Sequence, residues 1–155
     1  MKRTHMLYVA LVIMIVDQLS KYYLVSVINM PVQSPIAVTP FFNLVMVWNY
    51  GVSFGMFSSL DAKWFLVGMS IMICGLLWHM SRDAYNNMHM TAYGMVIGGA
   101  LGNVIDRFYY GAVADFFDFH INHWHYPAFN VADMAIVCGV IGLLWCELRK
   151  KKPAD

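Results

Sequence analysis

Charge is scarce in this chain: Asp, Glu, Lys and Arg make up 12% of its 155 residues, while 60% are hydrophobic. A soluble domain of this size needs far more polar surface, and with a mean hydropathy of +0.57 an ordinary one is excluded. The net charge of only +1 argues against nucleic acid as a partner. Cysteine is nearly absent. Cys74, Cys138 and Cys146 are odd in number, lie inside apolar segments and lack metal-type spacing, so a disulfide framework is not expected. There is no internal repeat or low-complexity tract. No small-x-small cleavage signal follows the first apolar run, which is therefore expected to stay as a helix rather than be removed as a leader.

What the chain does have is apolar sequence in four segments, predicting an all-α membrane protein with helices over about 6–28, 63–80, 90–107 and 131–148. A helix of roughly 20 residues crosses the ~30 Å hydrocarbon core. One membrane-embedded domain is expected over 1–155. With both termini inside, Lys2, Arg3, Arg82 and Arg149 to Lys152 collect on the cytoplasmic face, which predicts an N-in, C-in topology. Between the helices, prolines at 31, 35 and 40 are expected to break any helix. Phe42 to Trp48 reads as a strand, Asn49-Tyr50-Gly51 as a turn, and Val52 to Phe57 as a returning strand, giving a small sheet within an outer β region of about 29–62. The segment of about 108–130 is dense in aromatic residues and predicts an interfacial loop or helix on the same outer face.

The few polar residues inside this apolar frame carry the chemistry. Asp17 and Lys21 share a helix face at i and i+4, roughly 15 Å into the first helix. A structural ion pair is the larger expectation there, and substrate contact the smaller. Gly94, Gly98 and Gly102 recur every four residues, the spacing of close helix packing in lipid. Asn103, Asp106 and Arg107 close the third helix; a polar helix end explains the latter two, whereas Asn103 lies a turn deeper. Asn130-x-x-Asp133 has the form of a helix cap, and Asp115 alone could be a solvated loop residue. Taken together, Asp115 and Asp133 at one membrane face, in aromatic surroundings with only Arg107 as a nearby cation, read better as a carboxylate dyad. Such a pair shares one proton, so one member activates water while the other polarises a carbonyl. That is peptide hydrolysis without metal or covalent intermediate, placed where a signal peptide's cleavage site meets the membrane surface.

Other chemistries fare worse. His120, His123 and His125 in one loop are a weak metal signal. Ser20 and Ser26 are wrongly spaced from Lys21 for a nucleophile pair, and the thirteen methionines read as apolar filler. A proton-coupled transporter using Asp17 and a histidine-based metal or haem binder are the rival classes. Neither accounts for polar residues gathered at the outer ends of the third and fourth helices.

Five blocks then stand in order: Asp17-Gln18-Leu19-Ser20-Lys21, Asn49-Tyr50-Gly51-Val52-Ser53-Phe54, Gly98 through Arg107, Val113-Ala114-Asp115-Phe116, and Pro127-Ala128-Phe129-Asn130-Val131-Ala132-Asp133. In these, over nearly its whole length, the chain resembles the bacterial lipoprotein signal peptidases (signal peptidase II). The resemblance implies an aspartic endopeptidase of the bacterial inner membrane, its site at the outer face. Such an enzyme needs no cofactor and cuts diacylglyceryl-modified prolipoproteins before the lipidated cysteine. It also implies inhibition by globomycin, contact with membrane lipids and action as a monomer. By this resemblance Asp115 and Asp133 are the catalytic pair. Asp17, Asn49, Gly51, Asn103, Arg107 and Asn130 line or support the substrate site, and Lys21 and Asp106 hold it together. Asp118 lies close by, but the family motif selects Asp115. Ala114 stands where a larger apolar residue is common.

Overall fold

The computed structural model describes residues 3–51 and 59–149, with the side chains of residues 59–62 left out of the description. The expected strand over Val52 to Phe57 lies outside the described residues. Helix α1 (Arg3–Tyr22) runs on into a π-helical turn, Tyr23–Val27, and a short helix α2 (Met30–Gln33) follows. Strands β1 (Ile36–Thr39) and β2 (Phe42–Asn49) come next, then helices α3 (Ser59–Met80) and α4 (Asn87–Tyr109), strands β3 (Val113–Ile121) and β4 (Trp124–His125), and helix α5 (Val131–Arg149).

Among the described residues three helices are long and apolar enough to cross a membrane: Arg3–Val27, Lys63–Asp83 and Val131–Arg149. Helix α4 is just as long but is not among them, and it is largely enclosed by protein. It packs between α1 and α5, also touches α3, and buries residues from His89 to Asp106 on several faces. Lipid demands apolar side chains only of helices that face it.

The glycines of α4 make this packing possible. A Cβ on Gly98 would stand 2.5 Å from the Ala10 carbonyl oxygen, and one on Gly94 2.6 Å from that of Met6. Gly94 and Gly98 thus let the α1 backbone approach closely, as their spacing predicts. Gly99, on another face, would meet the Ala132 carbonyl of α5. Met6, Ala10, Asp17, Lys21 and Leu24 form the buried stripe of α1, at helical spacing.

The strands form one four-stranded antiparallel sheet in the order β1-β2-β3-β4. Two expectations are corrected here. Residues 108–130 are neither a loop nor an interfacial helix: they contain β3, nine residues long, which pairs with β2 from Asn49↔Val113 to Phe42↔Phe119. Part of the aromatic density that suggests an interface, Phe116, Phe117 and Phe119, belongs to a strand, for which aromatic residues are also suited. Pro31 does not abolish helix either. It sits in the first turn of α2, where its missing N–H would be unsatisfied anyway. The β region itself is shorter than expected, since α3 starts at Ser59.

Strand β3 carries a bulge that matters for the site. The N–H groups of Phe116 and Phe117 both donate to the Phe129 carbonyl, at 3.1 and 2.9 Å. Both rings turn into the cluster of Leu24, Met30, Leu44 and Met46 beneath the sheet. The residues either side, Asp115 and Asp118, therefore emerge together on the opposite face.

Candidate active site

The C-terminal ends of α1 and α4 and the N-terminal end of α5 meet the start of β3 in a polar cluster. At its base Lys21 Nζ lies 2.7 Å from Asp17 Oδ2 and 2.8 Å from Asp106 Oδ2, and donates to Asn103 Oδ1 at 3.1 Å. All four residues are buried. Each carboxylate has a further task. Asp17 Oδ1 accepts the Ala132 N–H at the start of α5 (2.9 Å), and Asp106 Oδ2 accepts the Ala114 N–H at the start of β3 (3.2 Å). One ammonium and two carboxylates thus tie α1, α4, α5 and the sheet to a common point. Gly102 leaves room for this: a Cβ there would stand 2.6 Å from Asp17 Oδ2.

Above this base sit two asparagines. Asn130 caps α5 reciprocally with Asp133, its Oδ1 accepting the Asp133 N–H at 2.9 Å and its own N–H donating to Asp133 Oδ2 at 3.3 Å. The expected cap is present, and it also positions the dyad. Asn130 Nδ2 donates to Asp115 Oδ1 at 2.7 Å and to Asn103 Oδ1 at 3.3 Å, while Asn103 Nδ2 donates to Asp133 Oδ1 at 2.8 Å. Asn49 Nδ2, at the end of β2, completes the shell on Asp115 Oδ2 at 3.0 Å. Asn49 Oδ1 also accepts the Gly51 N–H at 2.7 Å, in the turn where Gly51 has φ +76°. Only glycine takes that conformation freely. Arg107 donates to the Asn103 carbonyl at 3.2 Å, and its guanidinium approaches Gly51.

Asp115 is 2% exposed, and burial pushes its carboxyl up to about 6. The Asn49 hydrogen bond opposes the rise, the charge of Asp133 adds to it, and the Asn130 bond and Lys21 oppose it again. Asp133 is half-buried. A cavity of about 610 Å³ opens on Asp115, with Val47, Asn49 and Gly51 in its wall, and one of about 410 Å³ opens on Asp133. Pro127 and Ala128 border both. Two carboxylates linked through shared amides, one held towards its protonated form, are equipped for general acid and base work on one bond.

The model of the signal peptidase (SPase) II family matches residues 9–149. The chain belongs to the signal peptidase II family. A lipoprotein signal peptidase of Burkholderia cenocepacia (strain HI2424) is 41% identical over 152 residues, covering 94% of this chain and 89% of that protein. That of Anaplasma phagocytophilum (strain HZ) is 40% identical over 141 residues, covering 90% and 89%. A bacterial membrane enzyme solved by the in meso method at 1.9 Å resolution superposes with a TM-score of 0.82 at 30% identity, over 94% of each chain. This signal peptidase II is thus a peptidase of the aspartic type.

All ten residues expected at the site of this signal peptidase II fall in one connected cluster. Asp118, excluded from the dyad on its motif, is occupied elsewhere: it accepts from Asn43 Nδ2 at 3.2 Å and pairs with His125 Nδ1 at 2.8 Å. Of the three neighbouring histidines, His120 stacks on His125, and His123 lies exposed in the β3–β4 turn. Gln18 was missed. Its Nε2 donates to Asp106 Oδ1 at 2.9 Å, and to Asp17 Oδ2 and the Gly102 carbonyl at 3.2 Å each. The available signal was an amide side chain beside Asp17 in an otherwise apolar helix.

Proposed function

We propose that this signal peptidase II removes the signal peptide from diacylglyceryl-modified prolipoproteins, cleaving before the lipidated cysteine, with Asp115 and Asp133 as the catalytic pair. The observation that carries the reading is the bridge of Asn103 and Asn130 between the two carboxylates, each of which opens on a cavity. The pair shares one proton. Its ionised member takes a proton from water, whose oxygen attacks the scissile carbonyl. The protonated member hydrogen-bonds the carbonyl oxygen as it becomes an oxyanion. Collapse of the tetrahedral intermediate breaks the C–N bond, the departing amine takes up a proton, and a carboxylate remains on the signal peptide. Asn49 and Asn130 fix Asp115, Asn103 fixes Asp133, and Arg107 offers a positive charge beside both.

Four spans with both termini in the cytoplasm place this site at the outer face of the inner membrane, where lipids flank α1, α3 and α5. A monomer holds the complete set of site residues, and globomycin would compete for the same cleft. The test is cleavage of a diacylglyceryl-modified prolipoprotein in detergent, with and without EDTA. Asp115→Asn and Asp133→Asn are expected each to abolish cleavage while remaining folded, and EDTA to leave the wild type active. Turnover by either variant would sink the assignment.

A further inference from the structure

Beyond Asp115 the face of the sheet continues. A groove of about 440 Å³ shares Val47, Pro127 and Ala128 with the Asp115 cavity and extends to Asn43, Asp118 and His125. Strand β3 enters this face from the helix ends, where Ala114 is anchored to Asp106, and runs away from them. Asp118 lies three residues past Asp115, about 10 Å along an extended strand. A substrate chain crossing the same face in extended form advances at the same pitch, so its third or fourth residue past the scissile bond comes abreast of Asp118.

The polar groups there are built, not incidental. Asp118 is 5% exposed and holds Asn43 and His125. An ionised carboxylate only accepts, so Nδ1 of His125 carries a proton, and in the neutral ring Nε2 is then left as the acceptor. His120 stacks on the His125 ring, centroids 5.0 Å apart, and sets its plane. The His125 ring is half-exposed along the groove.

We infer that this groove is the subsite for the mature side of the substrate, and that His125, oriented by Asp118, is its specificity-determining residue, accepting a hydrogen bond from the third or fourth residue beyond the cleavage point. The inference rests on the proposed prolipoprotein cleavage. Lipidation and the signal segment are read nearer the dyad; this subsite reads peptide that becomes the mature N-terminus.

Two synthetic diacylglyceryl lipopeptides with the same signal segment test it. One ends as an amide at the lipidated cysteine, and the other carries three further residues with serine at the last two. The wild type should prefer the longer peptide by about tenfold in kcat/KM, the worth of one well-aligned hydrogen bond, expressed in KM rather than kcat. His125→Ala and Asp118→Asn should bring that ratio close to one. His125→Gln, which keeps an acceptor, should retain several-fold preference and covers the case in which the alanine variant fails to fold. A wild type indifferent to the added residues, a preference that survives in His125→Ala, or an equal loss of kcat on both peptides would overturn the inference. Failure of the wild type to cut either peptide would instead defeat the proposed cleavage itself.

Discussion

Replacing Lys21 by methionine isolates the charge cluster at the base of the site. The substitution keeps most of the side-chain volume and removes the ammonium that stands 2.7 and 2.8 Å from two carboxylates. Asp17 and Asp106 are both fully buried, so neither can recruit water in its place. Removing one partner of a buried ion pair costs about 3–5 kcal/mol, because a charge is left uncompensated. At roughly 2–4 °C per kcal/mol for a chain of this size, the melting temperature should fall by about 6–20 °C. Scanning fluorimetry of purified protein in detergent reads this directly. The double variant Lys21→Met, Asp17→Asn removes one of the stranded charges and should recover part of the loss, although Asp17 also accepts the Ala132 N–H. A single variant that melts within 2 °C of the wild type, or a double variant no more stable than the single, would refute the electrostatic account. In that case Lys21 would not be holding the site together.

The pH profile and the glycine contacts give further checks. The raised Asp115 carboxyl implies that kcat/KM declines on the alkaline side with an apparent pKa near 6, as the pair loses its shared proton. The Asn49 hydrogen bond favours the ionised form, so Asn49→Ala should move that limb to higher pH; a limb that stays or moves lower refutes the role of Asn49. Gly98→Ala puts a methyl 2.5 Å from the Ala10 carbonyl oxygen and should cost about 1–3 kcal/mol. Gly75→Ala in α3 meets nothing within 4 Å and should be neutral or stabilise by about 0.5–1 kcal/mol through helix propensity. The opposite signs are the prediction, and equal melting shifts would contradict it.

How legible the molecule was depended on the range of the interaction. Asp17 and Lys21 could be paired from their spacing alone, because the i, i+4 relation is local. The cap between Asn130 and Asp133 was legible for the same reason, and the step of four among Gly94, Gly98 and Gly102 gave a helix contact, though not its partner. Strand β3 was hidden by its bulge. With Phe116 and Phe117 both turned inward, Val113 to Ile121 loses the alternation that marks a half-buried strand. Its partner β2 is more than sixty residues away in the chain, as the Asn49–Asp115 bond shows. Gln18 escaped because spacing does not tell which of several distant carboxylates an amide will reach. Asp115 could be joined to Asp133 from their shared face and aromatic surroundings, and the comparison of whole blocks only chose it over Asp118. The fixing of Asp115 by Asn49 and Asn130 became visible only when three separate parts of the chain were brought together.

The division of charge between α1 and α4 has a consequence for how the chain is made. Asp17 and Lys21 lie on one helix, and Asp106 and Arg107 are neighbours on another, so at the depth of the cluster each helix carries one charge of each sign. Asn103, which Lys21 also contacts, is synthesised 82 residues later. During that interval α1 carries its own counter-ion and can enter the bilayer as a neutral segment. When α4 arrives, Lys21 keeps Asp17 and gains Asp106 and Asn103. The ion pair that α1 brings is thus extended, not replaced, when α4 packs against it.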